Sequence, residues 1–291
     1  MAGTRKVDDL SGMETTGHSW DGIEELNSPL PRWWLWTFYA TIVFAFGYIV
    51  AYPALPGLSG ATQGMLGWSS RGDIMNEMQG LDQQRSAMRA KIAAMPIQEV
   101  TANPELRAFA ISSGAALYKV NCVQCHGSGA QGSKGFPNLN DDSWLFGGTV
   151  EQIQQTIAHG VRSTDDSATR LPPDMPKFGM DQLLTAEQID QVTETVLQLS
   201  GQEHDQAKAA AGLQVFTDQC ASCHGTKGEG NQEMGTPQLN DAIWLRGGTR
   251  AEIRAQVASP KHGVMPAWSP RLGEAATKEL AIYIHSLGGG Q

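Results

Sequence analysis

Two short stretches carry residue types and spacings that can do chemistry. They are Cys122-Val-Gln-Cys125-His126-Gly127 and Cys220-Ala-Ser-Cys223-His224-Gly225. Two cysteines three apart can each form a thioether to a haem vinyl group, and the histidine that follows is placed to ligate the iron; C-x-x-C-H is the attachment signature of c-type haem. The two copies use all four cysteines of the 291-residue chain. Two disulfides would leave the His-Gly after each pair without a role. A zinc centre would leave one Cys-Cys-His set incomplete or odd, and no βαβ pattern surrounds either motif to support a thioredoxin-like dithiol. The expectation is two covalently attached haem c groups, at Cys122 and Cys125 and at Cys220 and Cys223, with His126 and His224 as iron ligands.

An iron that carries electrons without binding small molecules needs a second axial ligand, and methionine thioether is the usual partner in cytochromes c. Met175 in Pro172-Pro173-Asp174-Met175-Pro176 and Met265 in Gly263-Val264-Met265-Pro266 are the candidates, 49 residues after His126 and 41 after His224. Met180 is a minor rival in the first repeat. Met234 has no counterpart there and is set aside. His159 and His262, each followed by glycine, leave a bis-histidine haem open. Nothing resembles an acid–base pair, a nucleophile–base set or a phosphate loop.

Helices must deliver these residues. Residues 106–120 carry apolar side chains at helical spacing and run into the first motif, and 206–219 do the same before the second. The repeat extends further. Pro137-Asn-Leu139-Asn140-Asp141 matches Pro237-Gln-Leu239-Asn240-Asp241, and Trp144-Leu145-Phe146-Gly147-Gly148-Thr149 matches Trp244-Leu245-Arg246-Gly247-Gly248-Thr249. The offset is 98 at the cysteines and 100 from the proline onward. Thr149, Thr249 and Thr185 read as helix N-caps. An insertion near 162–170 accounts for the longer first interval.

The fold class expected is mainly α: an N-terminal arm over 1–32, a transmembrane helix over 33–54, a linker with an amphipathic helix over 55–104, and cytochrome c domains over 105–200 and 205–288. Pro29 and Pro31 exclude a regular helix in the arm, which reads as extended. Trp33 to Tyr52 is an uncharged run of 20 residues, enough to cross a bilayer. Trp33, Trp34 and Trp36 at one end and Tyr48 and Tyr52 at the other form an aromatic belt. The run starts too late and is too long for a signal peptide. Because bacterial c-type haem is attached outside the cytoplasmic membrane, the arm is expected on the cytoplasmic side and the haem domains in the periplasm. Residues 57–70 read as loop, and 72–95 as a helix with the stripe Ile74, Met78, Leu81, Met88, Ile92 and Met95. The net charge of −9 argues against nucleic acid as a partner and suits steering of a basic redox partner.

The arm has the pattern His18-x-Trp20-Asp21-Gly22-Ile23-x-Glu25-x-Asn27, then Pro29-x-Pro31-Arg32-Trp33-Trp34. Placed before one membrane helix and two tandem cytochrome c domains, it resembles subunit III of cbb3-type cytochrome c oxidase, over essentially the whole chain. Some members of that family have two membrane helices; this chain has one. The resemblance implies an electron-transfer subunit of a bacterial inner-membrane oxidase. Its partners would be the catalytic haem–copper subunit, a monohaem cytochrome c subunit and a soluble or membrane cytochrome c donor. It also implies docking of the arm on the catalytic subunit, and the ligand pairs His126 with Met175 and His224 with Met265. An anchored free carrier, a dihaem subunit of a periplasmic dehydrogenase and a dihaem peroxidase are the other readings. The two Met-Pro segments argue against the peroxidase, and oxygen reduction by this chain alone is not expected.

Overall fold

Asp21 and Gly22 both take positive φ, 48° and 86°, the geometry of a two-residue type I′ turn. The computed structural model, which describes residues 5–58 and 60–290, accordingly folds the arm into a hairpin of β1 (Thr15–Trp20) and β2 (Ile23–Leu26), with Trp20 opposite Ile23. The arm is therefore not simply extended. Asp-Gly between residues able to pair as strands is a hairpin signal.

Helix α1 (Arg32–Ala51) follows, long and apolar enough to cross a membrane and with none of its side chains buried in the protein. It ends ahead of Pro53, and its C-terminal carbonyls find partners in the next loop, where Met65 N–H donates to Val50 O at 2.9 Å and Leu66 N–H to Ala51 O at 3.1 Å. A short hairpin of β3 (Pro56–Gly57) and β4 (Gly60–Ala61) interrupts that loop. Helix α2 (Ser70–Ala94) comes next. Its expected stripe divides: Ile74, Met78 and Leu81 are exposed, whereas Ile92 is buried and Met88 and Met95 pack on the core. The chain separates into two compact units, residues 1–83 and 84–291.

The second unit continues with α3 (Ile97–Ala102), α4 (Pro104–Asn121), α5 (Val123–His126), α6 (Val150–His159), α7 (Ala186–Leu199), α8 (Gln206–Gln219), α9 (Ala221–His224), α10 (Arg250–Ala258), α11 (Ser269–Leu272) and α12 (Glu274–His285). Local sequence explains the starts. Thr149, Thr185 and Thr249 cap α6, α7 and α10, each in a full capping box with the residue three on.

The packing does not follow the linear repeat. The last helix, α12, lies against α4 and α6, and α7 lies against α8 and α10. One core therefore gathers Leu106, Ala110, Tyr118, Ile153 and Ile157 with Leu280, Ala281 and Ile284, and a second gathers Phe216, Ile253 and Val257 with Phe178, Leu184, Ile189, Val192 and Val196. The repeats over 105–200 and 205–288 thus each contribute helices to both cores. The two lobes exchange their C-terminal halves. The short connection between α7 and α8, residues 200–205, gives the physical reason, because it folds the two helices back on each other as an αα-hairpin.

Both crossings need glycine. A Cβ on Gly114 of α4 would lie 2.2 Å from the Glu279 carbonyl oxygen of α12, and one on Gly212 of α8 would lie 2.3 Å from the Gln191 carbonyl oxygen of α7. Across the first contact, Lys278 Nζ donates to the carbonyls of Ile92, Ala93 and Met95, so α12 also caps the end of α2.

Candidate functional site

Each C-x-x-C-H motif sits where a long helix ends. Cys122 is the C-cap of α4 and Cys220 the C-cap of α8, and each motif then turns through a single helical turn, α5 or α9. No disulfide joins the four cysteines, so each is available for attachment.

The two histidines are oriented identically. His126 Nδ1–H donates to the Pro137 carbonyl at 2.9 Å, and His224 Nδ1–H donates to the Pro237 carbonyl at 2.9 Å. A carbonyl only accepts, so the proton is held at Nδ1 and the Nε2 lone pair is left for a metal. Burial lowers the pKa of both imidazoles, against the opposing effect of those carbonyls, and so favours the neutral, ligating form. Pro137 and Pro237 are visible in the sequence only as matched repeat residues. They stand 11 and 13 residues beyond their histidines, so no constant spacing marks this role.

The lobe exchange decides which methionine meets which motif. Met265 pairs antiparallel with Val161, each N–H donating to the other's carbonyl at 2.9 Å, and packs on the core that holds Cys122 and Val123. Met175 packs on the core that holds Cys220 and Ala221. Its segment is fastened at the end of α10, where Gly179 N–H donates to Ala258 O at 3.1 Å and Met180 N–H at 3.2 Å. Where the expected pairs were His126 with Met175 and His224 with Met265, the packing sets Met265 on the core of the first motif and Met175 on that of the second. A duplicated sequence offers each motif two equivalent closing segments, and only the packing chooses.

The rival ligands are otherwise engaged. Met180 is 64% exposed and its sulfur accepts from Ser259 Oγ at 3.0 Å. His159 Nδ1 lies 2.8 Å from Asp166 Oδ2, and His262 Nδ1 lies 4.0 Å from Asp174 Oδ1. Met234 is at the surface.

Two contacts hold the motif loops and differ between the repeats. Tyr118 Oη donates to Gly127 O at 2.8 Å, and burial pushes that phenol up to about 12, so it remains a donor. The second repeat has Phe216 at this position, and there Thr236 Oγ1 donates to Cys223 O at 2.5 Å. Neither contact is foreshadowed by spacing, because each joins residues that the fold brings together.

Paired thiols, an imidazole with its proton fixed on the far nitrogen and a thioether on the same core form a donor set that suits haem c. When bound, the haem iron supplies reversible one-electron chemistry. Among the described residues no cluster of three or more His, Cys, Asp or Glu offers a separate metal site.

Comparison with known proteins agrees. Residues 12–59 match the family described as the N-terminal domain of cytochrome oxidase-cbb3, FixP. Residues 109–194 and 207–284 match the family described as cytochrome c oxidase, cbb3-type, subunit III. The Cbb3-type cytochrome c oxidase subunit FixP of Sinorhizobium medicae (strain WSM419) is 53% identical over 287 residues, covering 99% of this chain and 98% of that protein. The corresponding FixP of Rhizobium meliloti (strain 1021) is 52% identical, with the same coverage. The subunit CcoP of Cereibacter sphaeroides is 50% identical over 95% of each chain. With the arm, the single long apolar helix and both motif lobes all accounted for, the chain belongs to the FixP/CcoP family of cbb3-type cytochrome c oxidase subunits and carries two covalently bound haem c groups.

Proposed function

We propose that the chain is the membrane-anchored dihaem electron carrier of a cbb3-type oxidase. It takes electrons from a soluble or membrane cytochrome c donor and passes them toward the catalytic haem–copper subunit, in a complex that also holds a monohaem cytochrome c subunit. The observation that carries this reading is the matched pair of motifs, each with its histidine proton fixed on a proline carbonyl and a methionine segment on the same core. Cys122, Cys125, Cys220 and Cys223 attach the haems, with His126 and Met265 as axial ligands of one iron and His224 and Met175 of the other. Held between these residues, neither iron would offer oxygen a site, and oxygen reduction would fall to the catalytic subunit.

Helix α1 anchors the chain in the inner membrane. Haem attachment outside that membrane assigns both lobes to the periplasm and the arm to the cytoplasmic side. The arm's hairpin exposes Trp20 and Ile23, apolar surface suited to docking on another subunit at the membrane. The test is the optical spectrum of this chain purified from native membranes in mild detergent. Reduced c-type bands accompanied by b-type bands and oxygen uptake are expected; c-type bands alone, without oxygen uptake, overturn the oxidase assignment.

A further inference from the structure

Arg246 is half-buried, and no hydrogen bond or ion pair engages its guanidinium among the described residues. It occupies the position that Phe146 holds in the first repeat, within Trp-Leu-x-Gly-Gly-Thr. Both side chains cross the seam between the lobes. Phe146 lies over Gly235, where a Cβ would come within 2.1 Å of its ring, and Arg246 lies by Gly135, where a Cβ would sit 3.5 Å from Nη1. The adjoining backbone is joined there, Gly135 N–H donating to Leu245 O at 2.7 Å.

The groups placed near the Arg246 guanidinium belong to the first lobe. Gly135 follows the His126 motif. A Cβ on Gly263, two residues before Met265, would be 3.4 Å from Nη2. Arg162, next to the Val161 that pairs with Met265, is close enough for its charge to act on Arg246. Asp174, the carboxylate partner of Arg162, is already engaged: it accepts from Arg162 Nε at 3.3 Å and Nη2 at 3.1 Å, and it stands 78% exposed. A partly desolvated guanidinium without an acceptor, within reach of a second positive charge, is unfavourable unless an anion joins them. Burial first and the Arg162 charge second hold Arg246 below the usual arginine range. A c-type haem is fixed by its vinyl groups and brings two carboxylates of its own into such a lobe.

We propose that Arg246, reaching from the second repeat with Arg162 beside it, holds a carboxylate of the haem attached at Cys122 and Cys125. The inference rests on the dihaem reading alone, not on which methionine ligates which iron. A positive charge held there favours the reduced, more negative haem, so the residue raises that haem's reduction potential.

The test is a redox titration of the two c-type haems in the full chain within its complex, comparing the unaltered protein with Arg246→Gln. Two low-spin haems should remain and one midpoint should fall while the other stays. With Cys122 and Cys125 both replaced by serine, the remaining haem should titrate identically with and without Arg246→Gln. Unmoved midpoints in the full chain, or a shift that persists after the first motif is silenced, overturn the proposal. Should Arg246→Gln fail to load both haems, Arg246→Lys serves in the same two backgrounds, because it keeps the charge but not the paired hydrogen bonds, and the midpoint of the first haem should fall by less. A total absence of c-type bands would instead count against the dihaem reading.

Discussion

His126 and His224 owe their readiness as ligands to a single hydrogen bond each, donated to a proline carbonyl that accepts and never donates. The Cys-x-x-Cys-His pattern, and with it the covalent attachment, is legible from residue identity and spacing. The carbonyl that fixes the tautomer is not, since main-chain atoms have no sequence signature. Tyr118 is similar: its hydroxyl spans from α4 to Gly127, whereas the second repeat manages with Phe216. Tyr118→Phe should therefore leave both haems attached and low-spin while lowering stability by about 1–2 kcal/mol, the net value of a part-buried hydrogen bond plus some cost for the unpaired carbonyl. Thermal unfolding of the haem-loaded protein measures it.

At the scale of elements, caps and the membrane helix are the readable parts. Thr149, Thr185 and Thr249 announce α6, α7 and α10, and the uncharged run from Trp33 announces α1, because capping and bilayer length are local properties. The β1–β2 hairpin was equally local, and Asp21-Gly22 carried its signal. Helix pairing is a different matter. The apolar faces of α7 and α12 suit either α4 or α8, and the choice rests on the connection over 200–205 and on where Gly114 and Gly212 let backbones touch. Gly114→Ala should force α4 from α12 against immovable backbone and cost about 3 kcal/mol or more, at the upper end of overpacking effects. Weakened haem retention in the first lobe, read in the c-type absorption on mild heating, is the accompanying sign.

A second element-level contact ties the repeats together. Glu252, in the capping box of α10, accepts from Lys134 of the first lobe. Its carboxyl is drawn down to about 2 from an ordinary value of 4.5, by Lys134 first and by the Thr249 hydroxyl and backbone next. A folded-state value below the unfolded one means that the contribution is complete above pH 4.5 and lost as the pH falls through about 2. Denaturant titrations between those limits should show stability falling with acid, and Glu252→Gln should remove that part of the slope.

Across the whole molecule, duplication followed by exchange explains both what the sequence reveals and what it hides. The copy is plain in the matched Pro-x-Leu-Asn-Asp and Trp-Leu-x-Gly-Gly-Thr stretches. Which half completes which lobe is set by long-range packing, where α12 returns across the intervening repeat to α4. The exchange makes the lobes interdependent, as each needs chain from both repeats for its core and its methionine. It also brings the two haem-carrying lobes together along a shared seam, an arrangement fit for relaying electrons within one subunit.

The most direct test of this account is the spin state of a single remaining haem. In a chain with Cys122 and Cys125 both replaced by serine, Met175→Ala should turn the haem at Cys220 and Cys223 high-spin, and Met265→Ala should leave it low-spin. The opposite outcome, with Met265→Ala producing the high-spin haem and Met175→Ala sparing it, would contradict the exchange and restore the linear pairing.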